Sequence, residues 1–126
     1  MIAVVAKNGF TPLDLIQCAQ RVWEKISPES GPLEADLEPI AARIIDVVDG
    51  AIAQTQQHPW PVEFSIKLLL EQLEKRFHVE VADKLAWECI VRLMINMVSP
   101  ALGSEHAEEM CEKGALEWIE KKRIKT

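Results

Sequence analysis

The chain has 126 residues, 20 acidic and 14 basic, for a net charge of −6 with neutral histidines. That length suits one domain, and a balance of 48% apolar with 27% charged residues excludes a disordered chain, a collagen-like repeat and a coiled-coil rod. A chain of this size buries roughly two-thirds of the surface its unfolded state exposes, enough for one core without metal or disulfide staples.

The segment Met1-Ile2-Ala3-Val4-Val5-Ala6 is apolar, and residues 2–6 are the one candidate for a short extended stretch. It lacks a basic start, and Lys7 ends it short of a secretory core, so no leader is expected. The longest strongly apolar run, residues 90–98, is interrupted by Arg92 and Asn96, too short and too polar to cross a bilayer. The expectation is a cytoplasmic protein without membrane contact.

Thr11-Pro12-Leu13-Asp14 opens the first helix. Thr11 caps, Pro12 supplies a pre-set backbone angle, and Asp14 favours the positive end of the dipole. The helix runs to about Ile26, with Leu15, Ile16, Ala19, Val22, Trp23 and Ile26 on one stripe. Ser27-Pro28-Glu29-Ser30-Gly31-Pro32 breaks it with a loop short enough for an antiparallel turn. A second helix enters between Leu33 and Pro39, capped by Asp36 or Glu38, and carries Ile40, Ala41, Ile44, Ile45, Val48, Ala51 and Ile52 inward.

His58-Pro59-Trp60-Pro61 is the firmest break, since each proline drives its predecessor out of helical geometry. A third helix spans residues 61–77, with Val62, Ile66, Leu69, Leu70, Leu73 and Phe77 in register. A fourth spans residues 81–98. It carries Ala82, Leu85, Ala86, Cys89, Ile90, Leu93, Met94 and Met97 on one side and Trp87, Val91, Ile95 and Val98 on the next. A helix apolar nearly all round is either the centre of a bundle or covered by a second subunit. Its polar ladder is Glu88, Arg92 and Asn96. Ser104 caps a final helix with Glu105, Glu108 and Glu109 first and Lys121, Lys122 and Arg123 last, as the macrodipole prefers. The count of five helices joined by short loops predicts an all-α, single-domain bundle over the whole chain.

No motif for catalysis emerges. The five glycines are isolated, which leaves no phosphate-cradling loop, and Gly103-Ser104 reads as a linker meeting a cap. His106 and Glu109 lie one helical turn apart, but a metal centre needs further histidine or paired cysteine ligands, so no metal and no cofactor are expected. Cys18, Cys89 and Cys111 each fall on an apolar stripe and read as inert core thiols. His58 and His78 read as loop residues. The acidic balance makes nucleic acid an unfavoured partner; only Lys121, Lys122, Arg123 and Lys125 are basic together, and they close a helix terminus.

Two readings follow. The first is a non-catalytic protein-interaction or accessory protein, self-associating as a dimer through Trp87, Val91 and Ile95 or holding a partner protein. Rigid, proline-flanked Trp60 is either a staple over the third helix or a second anchor for that partner. The alternative is a helical domain, binding-only or a simple enzyme, with an anionic small molecule in a pocket beside Glu88, Arg92 and Asn96.

Overall fold

A computed structural model describes residues 9–31, 33, 36–55, 62–81, 83–98 and 107–124; at residues 30, 49–55, 62–66, 107 and 108 the description stops at the backbone. It holds five α-helices: α1 (Pro12–Ile26), α2 (Leu37–Thr55), α3 (Val62–Phe77), α4 (Lys84–Val98) and α5 (Ala107–Ile124), with one 3₁₀ turn at Pro28–Ser30. The protein is all-α, and among the described residues there is no strand. The N-terminal stretch expected to be extended lies outside the described residues.

Local chemistry sets the helix starts. Thr11 and Asp14 form a closed capping box: Asp14 N–H donates to Thr11 Oγ1 at 3.3 Å, and Thr11 N–H donates back to Asp14 Oδ2 at 2.9 Å. Asp36 caps α2 by accepting from Glu38 N–H at 3.2 Å. The entry to α4 differs from the expected one. Asp83 Oδ1 accepts from Ala86 N–H at 3.0 Å, so the helix starts at Lys84. Val81 continues the apolar spacing but precedes this cap, and a cap overrides periodicity because it satisfies an otherwise orphaned donor. α3 closes with a Schellman turn, Val79 N–H donating to Glu74 C=O at 3.3 Å, which puts His78 in the left-handed region at φ 52°.

α4 packs against each of the other four helices, and α1 also meets α2 and α5. Ten of its 15 residues are buried, Trp87, Cys89, Ile90, Val91 and Met94 among them. The helix that is apolar on two sides is therefore the bundle centre. Each large aliphatic side chain sealed here contributes on the order of 1.5–3 kcal/mol. Trp23 fastens the first loop over this core, its Nε1 donating to the Gly31 carbonyl at 2.9 Å, with Gly31 at φ 72° where a side chain would be strained.

Candidate functional site

The face expected to meet a second subunit is closed within one chain. Trp87 and Val91 are 0% exposed and Ile95 is 1% exposed. These three residues therefore form no surface that a partner can reach, which corrects the association surface expected on them. The sequence reveals that α4 needs cover on two sides; the tertiary contacts supply that cover from neighbouring helices. Trp60, His58, Ser104 and His106 lie outside the described residues.

The polar ladder of α4 is divided. Glu88 and Arg92 are joined, Oε1 lying 3.0 Å from Nη2 and 3.3 Å from Nε. The guanidinium carbon then lies 4.8 Å from the centroid of the Trp118 ring on α5, leaving the Arg92 side chain 15% exposed. Lys122 Nζ approaches the same ring at 5.7 Å. Asn96 is exposed and takes no part in this cluster. Glu88 and Arg92 thus tie α4 to α5 through a carboxylate and an aromatic face, a geometry worth about 0.5–2 kcal/mol. In the sequence, the helical register of Trp118 is consistent with core or interface packing and carries no signal of this contact.

A second polar junction gathers three helix ends. Arg123 Nη2 donates to Asp83 Oδ2 at 2.9 Å, and its Nη1 donates to the Ile26 carbonyl at 2.7 Å. Ser27 Oγ, buried, donates to the same Asp83 oxygen at 3.2 Å. One side chain of the basic C-terminal run is thereby engaged with the last carbonyl of α1 and the cap of α4, the placement helix dipoles favour. Lys25 and Arg21 on α1 flank Glu112 on α5.

The thiols are enclosed. Cys18, Cys89 and Cys111 are free and buried. Burial pushes the Cys89 thiol up to about 12, against the opposing pull of Arg123 and Arg92, and pushes Cys111 up to about 11. Cys89 Sγ donates to the Ala115 carbonyl at 3.2 Å. Thiols that stay protonated and covered at neutral pH are poor nucleophiles.

An open groove, with a cavity volume of about 400 Å³, lies between α2 and α3. Leu69, Gln72, Leu73 and Arg76 recur along α3 at helical spacing and face Arg43 of α2, with Lys75 at the margin. Among the described residues three cations and no carboxylate line it, in a chain of net charge −6. Its floor residues Leu69 and Leu73 are buried, while Leu68, one helical turn before Gln72, is 45% exposed. Asp46, exposed, pairs with Arg43 from outside the groove at 3.4 Å. Sequence reading missed this site because Arg43 is distant in the chain and because nothing within α3 sets Lys75 and Arg76 apart from other surface charges. Comparison with protein-family models, with curated proteins and with solved structures gives no match to this chain.

Proposed function

We propose that this chain is a non-catalytic helical interaction protein that acts by holding a partner protein on the outside of the bundle. The observation that carries the reading is the disposition of its reactive groups. The three thiols are buried, Cys89 and Cys111 are held protonated at neutral pH, and the Arg92 guanidinium is engaged by Glu88 and Trp118, whereas the α2–α3 groove lies open. Groups held this way stabilise a scaffold and offer no activated nucleophile. Association through Trp87, Val91 and Ile95 has no place in this reading, since all three are interior. The anionic-ligand alternative at Glu88, Arg92 and Asn96 is disfavoured because the cation already has its counter-charge.

The test is site-specific photo-crosslinking in cells that make the protein, with the probe placed in turn at exposed Gln20, Gln72 and Glu117. The expected result is a discrete protein adduct from one face and none from the others. Absence of adducts from all three positions, with a strict monomer in light scattering, overturns the reading.

A further inference from the structure

The electrostatics of the α2–α3 groove specify a class of partner more narrowly. Its lining on α3 is a stripe at i, i+3, i+4 and i+7, Leu69, Gln72, Leu73 and Arg76, which extends for about 10 Å at the helical rise per residue. That length accommodates two successive anchor residues of a helix, which repeat every three or four positions. Among the described residues the lining charges all have one sign, from Arg43 on one wall and Lys75 and Arg76 on the other. Of the described acidic side chains nearest this lining in sequence, Asp46 pairs with Arg43, Glu71 is exposed, and Glu74 is directed to Lys84 at 3.4 Å. Arg76 also lies with its guanidinium carbon 5.9 Å from the Phe77 ring, which limits its sweep. Exposed Leu68 extends the apolar contact beyond the rim.

From this combination we propose that the groove receives an acidic amphipathic helix of a partner protein, whose apolar side chains lie over Leu69 and Leu68 while its carboxylates meet Arg43, Lys75 and Arg76. This assignment rests on the interaction reading above and narrows it to one surface and one partner chemistry. Asp46 then acts as an internal competitor, occupying Arg43 until a carboxylate of the partner replaces it.

The probe is a synthetic helical peptide of about 14 residues, long enough to hold partial helicity, with leucines at i and i+4 flanked by glutamates. Its binding is followed by fluorescence anisotropy and by amide chemical-shift mapping on the full chain. Controls are a scrambled peptide of equal composition, the lysine counterpart and polyglutamate. Saturable binding is expected for the acidic amphipathic peptide alone, with shift changes confined to α2 and α3. Lys75→Glu with Arg76→Glu weakens it at least about tenfold, and raising salt from about 50 to about 500 mM weakens it severalfold. Asp46→Asn tightens it about two- to threefold by freeing Arg43. All these side chains are on the surface, so the fold is retained and is checked by circular dichroism. Equal binding of the scrambled peptide or polyglutamate, an unaltered affinity in the charge-reversed variant, or shifts on another face overturns the proposal. Crosslinks arising from Gln20 or Glu117 alone would sink this groove while leaving the interaction reading intact; a chain without any adduct loses both.

Discussion

Arg123 and Asp83 meet at 2.9 Å across 40 positions of sequence, and through them the end of α5 is bound to the start of α4 and the last carbonyl of α1. Asp83 is both a helix cap and an ion-pair partner. Asp83→Ala removes both roles and is expected to cost about 2 kcal/mol in urea unfolding, against about 1 kcal/mol for Arg123→Ala, whose side chain is half in water. The double-mutant cycle should return a coupling of about 0.5–1 kcal/mol that shrinks with added salt. Additivity within error would show that the contact does not couple the two helices.

The two buried tryptophans separate packing from hydrogen bonding. Trp23 Nε1 is bonded to Gly31, whereas the Nε1 of fully buried Trp87 has no hydrogen-bond partner among the described residues. Trp87→Phe deletes an unsatisfied donor along with some volume and is expected to change stability by less than about 1 kcal/mol. Trp23→Phe loses the hydrogen bond to the Gly31 carbonyl and should cost about 1 kcal/mol more. Trp87→Ala leaves a central void costing about 3–5 kcal/mol. Thermal melts of the three variants give the ranking.

Alkaline pH should weaken the fold through the thiols. The folded protein holds Cys89 protonated to about 12 and Cys111 to about 11, both above the ordinary thiol value of 9.0. Unfolded chains therefore release these protons first. The stabilisation is complete below pH 9 and is lost as pH rises from there through the folded values, by up to about 1.4 kcal/mol per unit for each thiol. The check is the difference in unfolding free energy between the native chain and a Cys89→Ala, Cys111→Ala variant from pH 8 to about 11, since other titrations cancel in that difference. A pH-independent difference would show that burial does not hold the protons.

Native-state alkylation reads the same enclosure kinetically. Iodoacetamide at pH 8 should modify Cys18, Cys89 and Cys111 slowly until denaturant opens the bundle. Rapid modification of any one by mass spectrometry would place a reactive thiol within reach of solvent.

Two backbone positions are open to improvement. Gly114 lies exposed within α5, and a Cβ there meets nothing within 4 Å. Gly114→Ala is expected to stabilise by about 0.5–1 kcal/mol. His78→Gly, at φ 52° beyond the end of α3, should relieve left-handed strain of about 1 kcal/mol. Both are measured by the midpoint of urea unfolding, and a loss of stability at Gly114 would reveal a conformational demand absent from the static structure.

Much of the architecture was legible because it is written locally. Thr11, Pro12 and Asp14 mark a helix start within four residues, and the double apolar face of α4 demands a central position. What was not legible depends on distant partners. Asp83 is an unremarked acid until Arg123 and Ser27, 40 and 56 positions away, converge on it. Arg92 looks available for a ligand until Trp118 is placed beside it. Arg43 belongs to a cationic groove only once α2 and α3 lie side by side, and no periodicity within either helix encodes that pairing.

α4 borders every other helix, whereas the only extensive packing of α3 among the described contacts is with α4. α3 is therefore held to the bundle chiefly through one neighbour, although its Leu69 and Leu73 belong to the shared buried core. Lys75 and Arg76 stand on that singly anchored helix and Arg43 on α2, so the spacing of the three cations is set through α4, which carries both walls.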